Sequence, residues 1–150
     1  EDPSLFGLKP FEVIFDLRSE YFVEKAGTKF LFKLGALIGP QMEMYQEKKR
    51  ILPLEAEFNR SYYRTLKITI PEGYKVSNLD DITIKNSYTK EGKELFIFDS
   101  YYSLEGNILT VTADEHYRET LVAPELYEAY RTVINSAADF NKVTLVLEPK

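Results

Sequence analysis

The sequence contains no cysteine and a single histidine, and both shortages limit the chemistry that it can support. Without a thiol there is no disulfide, no thiolate zinc site and no cysteine nucleophile. Any Ser-His-Asp arrangement would have to use His116, the one imidazole. His116 follows acidic residues at the expected end of a strand, so we interpret it as a surface histidine rather than a general base. These shortages predict a domain that is not an enzyme.

Positive charge is in the minority, with 19 Lys and Arg against 24 Asp and Glu and a formal net charge of -5. Because affinity for nucleic acid comes from clustered basic side chains, we expect no nucleic-acid partner. No run approaches the roughly 20 apolar residues that a membrane-spanning helix needs. Neither the spaced acidic pattern of a calcium loop nor a phosphate-binding glycine loop is present. We therefore expect no metal, no cofactor and no membrane span.

The acidic residues leave one catalytic alternative open. Glycoside hydrolases pair two carboxyl groups in space, and such a pair leaves no mark in the spacing along the chain. With 24 Asp and Glu, carboxyl pairs also arise by chance. A hydrolase that uses carboxylates is therefore the last of three hypotheses, and only a deep pocket with two facing carboxyl groups would favour it.

Aromatic and apolar side chains are plentiful, and they alternate with polar ones. The chain has 150 residues, 44% of them hydrophobic, with 11 Tyr and 10 Phe, which is enough for one domain with a real core. Period-2 alternation is typical of strands with one face on a core. It predicts about seven strands, near residues 13–17, 30–34, 66–70, 82–84, 95–102, 109–113 and 143–147.

Turn and helix signals complete the fold prediction. Gly106 and Asn107 separate two β-rich runs and predict a hairpin. Residues 124–138 have apolar side chains at helical spacing and predict one amphipathic helix. The predicted fold class is mostly β, an antiparallel β-sandwich with one amphipathic α-helix near the C-terminus. We expect a single domain over residues 1–150, with 1–10 as an incoming connection and with Glu1 indicating a fragment of a longer chain.

Two adjacent pairs of tyrosines form a candidate ligand platform: Tyr62 and Tyr63, and Tyr101 and Tyr102. A tyrosine ring with its polar tip can stack on a sugar or hold an extended peptide. Neighbouring residues of a strand point to opposite faces, so one tyrosine of each pair should be exposed even without a ligand. A glycan or peptide partner and an ordinary structural role both stay open.

A second unusual segment combines Gly39, Pro40 and Gln41 with Glu43 and Tyr45. One interpretation is a bent or bulged strand whose glycine supplies a turn geometry that other residues do not tolerate. The other interpretation is an interface with a neighbouring domain. We take these five residues as the candidate interface.

Three stretches resemble one bacterial domain family: residues 34–50 (LGALIGPQMEMYQEKKR), residues 62–65 leading into 70–74, and residues 130–142. They resemble the C-terminal domain of unknown function of bacterial multidomain transglutaminase-like proteins, from about residue 20 to the end. The resemblance implies that a β domain and a papain-like core with a Cys-His-Asp triad precede this domain. It also implies export, to the periplasm, the cell surface or the medium. Because the chain has no cysteine, no triad residue carries over.

The first hypothesis is therefore a non-catalytic accessory domain that follows a transglutaminase-like core and packs against it, with a structural or interaction role. Its partner would be that neighbouring domain of the same parent chain. The alternative hypothesis is a carbohydrate- or peptide-binding β-sandwich module that uses surface tyrosines. A contiguous row of exposed tyrosines would favour the alternative, and scattered or buried ones would favour the accessory role.

Overall fold

The computed structural model describes residues 3–5, 7–8 and 12–150, and strands account for most of their regular structure. Helix α1 spans Tyr127–Asn141, and short 3-10 helices occupy Pro3–Leu5, Leu34–Ile38 and Leu79–Ile82. The described strands, in chain order, are β1 (Val23–Ala26), β2 (Lys29–Phe32), β3 (Leu54–Glu55), β4 (Arg60–Thr69), β5 (Tyr74–Val76), β6 (Ile84–Lys90), β7 (Lys93–Glu105), β8 (Ile108–Tyr117), β9 (Leu121–Val122) and β10 (Leu145–Pro149).

The larger sheet has the strand order β4-β8-β7-β6, with every pair antiparallel. The predicted hairpin is present, because β7 turns into β8 through Gly106, which has a positive φ of 61°. β7 lies inside the sheet, and Leu95 to Phe98 are all buried. The run of apolar residues on both faces of this strand fits its interior position in the sheet.

The smaller sheet has the order β1-β2-β10-β5 and joins distant parts of the chain. β10 is the last strand of the sequence, yet it lies between β2 and β5. A short antiparallel pair, β3 with β9, stands apart from both sheets.

One face of the larger sheet packs against α1 and the smaller sheet. The ring of Phe98 lies 5.8 Å from that of Phe140 on α1, and the ring of Phe96 lies 5.2 Å from that of Tyr130. Leu145 on β10 belongs to the same buried cluster. The helix forms because its apolar residues fall on one face, which this core covers. The predicted mostly β, antiparallel fold with one α-helix near the C-terminus is confirmed.

The strand predicted at residues 13–17 is absent, and the bounds of two other predicted strands were wrong. Residues 12–19 have no regular secondary structure, and Val13, Phe15 and Leu17 are exposed, so the alternation there found no hydrogen-bonded neighbour among the described strands. Leu34 and Ile82 lie in 3-10 helices rather than strands. Most of residues 1–10, the expected incoming connection, lie outside the described residues. No helix in the described part of the chain is long and apolar enough to cross a membrane.

Candidate functional site

A cleft of about 600 Å³ opens where the start of β4 meets the end of β8. Arg60 pairs with Tyr117 at this end of the sheet, and strand alternation turns Arg60, Tyr62 and Arg64 toward the same face. α1 supplies Tyr130 to the cleft wall. Residues 38–58, which are mostly irregular and include β3, close the other side.

Glu115 is the buried carboxylate of the cleft, with 4% of its surface exposed. One of its oxygens lies 2.8 Å from Nη1 of Arg64 in a salt bridge. The other oxygen accepts a hydrogen bond of 2.9 Å from the hydroxyl of Tyr117. Each oxygen thus holds one neighbour, so Glu115 anchors both Arg64 and Tyr117 in the cleft.

Arg60 is the second cation of the cleft. Its Nη2 donates a hydrogen bond of 2.6 Å to the hydroxyl of Tyr130, and its guanidinium lies 5.2 Å from the ring centre of Tyr117. Its Nε is buried and has no acceptor among the described residues. Within the same residues, no carboxylate lies within salt-bridge distance of Arg60. The cleft therefore holds one guanidinium without an anionic partner.

Burial changes the titration of the two tyrosines that contact Arg60. It raises the pKa of Tyr117 far above the ordinary value, and the negative charge of Glu115 acts in the same direction. Burial also raises the pKa of Tyr130, although the positive charge of Arg60 opposes that shift. Both hydroxyls thus keep their protons at neutral pH. Tyr130 accepts from Arg60, so its own O–H can donate to a bound group.

The structure brings part of the predicted interface into this cleft. Gly39, Pro40 and Gln41 line it, whereas Glu43 forms a salt bridge of 3.1 Å with Lys142 and Tyr45 is exposed to solvent. The backbone of Gly39 has a φ of 82°, in the left-handed region that favours glycine. The interpretation of this glycine as a special turn position is confirmed, although the segment is not a strand.

Two asparagines of α1 hold the segment in place. Asn141 donates hydrogen bonds of 2.8 Å to the carbonyl oxygens of Gly35 and Gly39. Asn135 accepts from the backbone N–H of Met44 at 2.7 Å and donates to the carbonyl of the same residue at 3.1 Å. The cleft wall is therefore attached to the helix by side-chain to backbone hydrogen bonds.

The four tyrosines of the proposed ligand platform do not form one row. Tyr62 lies in the cleft, with the guanidinium of Arg64 4.8 Å from its ring centre. Tyr102 faces the same side of the sheet but packs against the core. Tyr63 and Tyr101 are exposed on the opposite face. The structure thus brings only Tyr62 together with Gly39, Pro40 and Gln41.

His116 is buried, with 8% of its surface exposed, so its interpretation as a surface histidine was wrong. It lies on the face of β8 opposite the cleft, between Ser61 on β4 and Ile97 on β7. These neighbours cover it because β8 is an interior strand, which the local sequence did not indicate. Its Nε2 lies 3.2 Å from a carboxylate oxygen of Glu94 but is not aligned for a hydrogen bond.

Sequence reasoning missed Arg60, Glu115 and Tyr130, which supply a cation, a carboxylate and a hydroxyl to the cleft. Arg60 and Tyr130 are 70 residues apart in the chain, and although Tyr130 begins one of the stretches that carry the resemblance, no local pattern relates it to Arg60. The one local signal was the alternation in β4, which places Arg60 and Arg64 on the face that carries Leu66. Among the described residues, no group of three or more His, Asp or Glu could hold a metal ion.

Comparison with known proteins identifies the family. A crystal structure of a "putative protease" from Parabacteroides distasonis ATCC 8503 is similar, with a TM-score of 0.54 and 18% sequence identity over 69% of this chain. The similar region covers 19% of that chain, and at this identity the likeness shows the fold alone. No curated protein matches. The sequence model of DUF3858, a domain of unknown function with a solved structure, matches residues 31–147. The chain therefore belongs to the DUF3858 family.

Proposed function

We propose that this domain is a non-catalytic accessory domain that follows a transglutaminase-like core in a longer chain and packs against it, with a structural or interaction role. The observation that carries the proposal is the exposure of large apolar side chains beside the cleft. Met42 and Phe58 line the cleft and are 65% and 63% exposed. Tyr45, Ile51 and Leu52 of the same irregular segment are also exposed. Such a concentration is typical of interaction surfaces.

Two further observations support a larger parent protein. The similar region is about a fifth of the Parabacteroides chain, so a domain of this fold occurs there within a much longer polypeptide. Apolar side chains of residues 13–17 are exposed as well, and a neighbouring domain could cover them. The resemblance of residues 34–50, of 62–65 leading into 70–74, and of 130–142 supplies the kind of neighbour. The same resemblance also supports a bacterial parent protein that is exported to the periplasm, the cell surface or the medium.

The absence of catalysis is part of the proposal. Glu115 is the buried carboxylate of the cleft, and Arg64 and Tyr117 occupy both of its oxygens. In the described part of the cleft no second buried carboxylate stands beside Glu115 to complete an acid-base pair. Turnover of any defined substrate by the 150-residue chain, abolished by Glu115→Gln, would contradict this part of the proposal.

The proposal is tested in the full-length parent protein. Replacing both Met42 and Phe58 with Ser should remove the apolar contact between this domain and the transglutaminase-like core. We therefore expect a lower unfolding temperature of the transglutaminase-like core and faster proteolysis between the two domains. Replacing Tyr63 and Tyr101 with Ser is the matched control, since these side chains are exposed on the opposite face of the larger sheet. Equal unfolding and proteolysis in all three proteins would contradict the packing.

Two observations on the parent gene and its product test the identity of the neighbouring domain and the location of the parent protein. The sequence upstream of Glu1 should encode an export signal and a core with a Cys-His-Asp triad. Fractionation should place the parent protein outside the cytoplasm. A parent without such a core, or one that stays in the cytoplasm, would contradict the assignment of the neighbour or of the location.

A carbohydrate- or peptide-binding module is the second candidate, and the position of Tyr62 favours it. Tyr62 is partly exposed in a concave site beside Gly39 and Pro40, where a ring can stack on a sugar or a peptide group. In a glycan and peptide screen, Tyr62→Ala should reduce any saturable binding, whereas Tyr63→Ala should not. A screen without saturable binding would remove this candidate.

A further inference from the structure

We propose that the cleft binds a carboxylate group of a peptide through Arg60. This proposal goes beyond the accessory role, because it concerns the interior of the cleft rather than the apolar side chains at its mouth. Its ligand is a short peptide segment with an apolar side chain beside a carboxylate. The carboxylate could belong to a chain end or to an acidic side chain, and the experiment below distinguishes these sources.

The ion pairing inside the cleft leaves Arg60 without a carboxylate partner among the described residues. Three carboxylates and two guanidinium groups line the cleft; Glu55 and Glu57 are exposed at its surface, neither lies within salt-bridge distance of Arg60, and Glu115 is the buried one. Glu115 forms a salt bridge with Arg64 at 2.8 Å, so the charge of Arg60 is left without a counterpart among the described residues. Charged groups removed from water are normally paired, because desolvation without a partner is costly. A ligand carboxylate would supply that partner.

The donors at this point also fit a carboxylate. Arg60 lines the cleft with a planar set of N–H groups; its Nε is fully buried, so the Nη groups, of which Nη2 also donates to Tyr130, are the donors that a ligand can reach. The hydroxyl of Tyr130, which accepts from Nη2 of Arg60, has its own proton to give. The ring of Tyr117 lies beneath the guanidinium and restricts its movement. Fixed planar donors next to a hydroxyl donor match the two oxygens of a carboxylate.

The walls of the cleft indicate what accompanies the carboxylate. Ile38, Met44, Leu54 and Ile134 provide apolar surface around the charged end. A volume of about 600 Å³ lies within the range of sites that take small ligands or a few peptide residues. Tyr62 and the segment of Gly39 to Gln41 stand along the cleft, where a peptide backbone would run. The site therefore fits the C-terminal end or an acidic side chain of a peptide better than a free inorganic anion.

The experiment uses the whole 150-residue chain and three acetylated tripeptides. The first, Ala-Ala-Leu, has a free C-terminal carboxylate; the second is its C-terminal amide; the third, Ala-Glu-Leu amide, has its carboxylate on a side chain. In an NMR titration, we expect saturable shifts of cleft amides with at least one carboxylate peptide and none with the neutral amide. Arg60→Gln should weaken this binding about tenfold or more, because it removes charge-assisted hydrogen bonds.

Lys67→Gln is the matched control, because it removes one positive charge from the exposed face of the same strand. It should leave the affinity unchanged, and Arg60→Lys should bind with intermediate affinity, since the charge stays but the planar donors are lost. If Arg60→Gln does not fold, the affinity of Arg60→Lys shows whether Arg60 binds the carboxylate. Binding of the first peptide alone assigns the site to a chain end, and binding of the third alone assigns it to an acidic side chain.

Three outcomes would overturn the proposal: equal binding of the neutral amide, no saturable binding of either carboxylate peptide, or unchanged affinity in folded Arg60 variants. Each of them leaves the accessory role standing, because that role is tested on Met42 and Phe58 in the parent protein.

Discussion

At Gly35 two distant parts of the chain approach each other closely. It lies in the 3-10 helix Leu34–Ile38, and its N–H donates to the carbonyl of Val143 at 2.9 Å. A Cβ atom at this position would lie 2.0 Å from the carbonyl oxygen of Phe140 and 2.6 Å from backbone atoms of Asn141. A side chain of any size would therefore push the cleft wall away from α1.

We expect Gly35→Ala to lower the free energy of unfolding by about 3 kcal/mol, because the clash is with backbone and cannot be relieved by a rotamer change. Gly73→Ala is the control. Gly73 has open space around it but a φ of 79°, so alanine there should cost only about 1–2 kcal/mol of backbone strain. Urea unfolding measures the free energy of unfolding of both variants. Equal losses would show that the close approach at Gly35 is not what requires glycine.

Tyr117 should make the protein sensitive to alkaline pH. Burial raises the pKa of this hydroxyl in the folded state, whereas the unfolded chain ionises near pH 10. Above about pH 10 the unfolded state loses the proton and the folded state keeps it, so stability falls as the pH rises, by up to about 1.4 kcal/mol per pH unit. Below about pH 10 the contribution of the Tyr117 hydroxyl to stability is fully present. Tyr130, whose pKa is also raised, adds to the same loss.

Urea unfolding at pH 9 and pH 11 measures this dependence. Tyr117→Phe should reduce the loss of stability, and Tyr63→Phe, on the exposed face of β4, should leave it as it is. If Tyr117→Phe shows the same fall between these two pH values as the unmodified protein, the burial of its hydroxyl is not responsible.

At the scale of elements, α1 holds the chain that carries the predicted interface. The segment beyond Gly39 has no strand partner from residue 40 to residue 53, so it depends on side chains for its position. Asn135 binds both backbone groups of Met44 and replaces the hydrogen bonds that a neighbouring strand would have made.

Asn135→Ala should therefore speed hydrogen exchange at the Met44 amide and lower stability by about 1–3 kcal/mol, since two partly buried backbone groups lose their partner. Asn135→Asp keeps the acceptor and should preserve more of the protection of the amide. Thr132→Ala, on an exposed position of the same helix, is the control. Unchanged exchange at Met44 in Asn135→Ala would show that other contacts hold the segment.

At the scale of the whole molecule, both four-stranded sheets depend on one core. Leu109 on β8 and Leu145 on β10 are fully buried in the same cluster, although they belong to different sheets. Neither sheet has a separate apolar interior of its own in the described residues. The two sheets and α1 should therefore unfold together.

We expect Leu109→Ala and Leu145→Ala each to cost about 2–5 kcal/mol and to leave a single unfolding transition. Ile14→Ala, at an exposed position outside the core, should change little. Far-ultraviolet circular dichroism and tyrosine fluorescence follow the backbone and the core, respectively. Separate transitions by these two probes in either core variant would show that the sheets unfold independently.

Local patterns were sufficient to predict the β character of the chain, the hairpin at Gly106 and the existence of α1. Each of these depends on periodicity or turn chemistry within about fifteen residues, which the sequence displays directly. The special backbone of Gly39 was predictable for the same reason. The same kind of pattern failed at residues 13–17, because alternation shows that a segment can form a strand but not that a partner lies beside it.

The sequence by itself thus determined which elements form and which of their faces are apolar. Only the tertiary structure decided that β10 lies between β2 and β5, that His116 is covered by the neighbours of β8, and that Arg60 meets Tyr130 beside Gly39. Strand pairing and the packing of α1 join residues far apart in the chain. Which strands pair and where α1 packs depends on the total burial and hydrogen bonding of the whole fold. No short stretch of sequence shows that total.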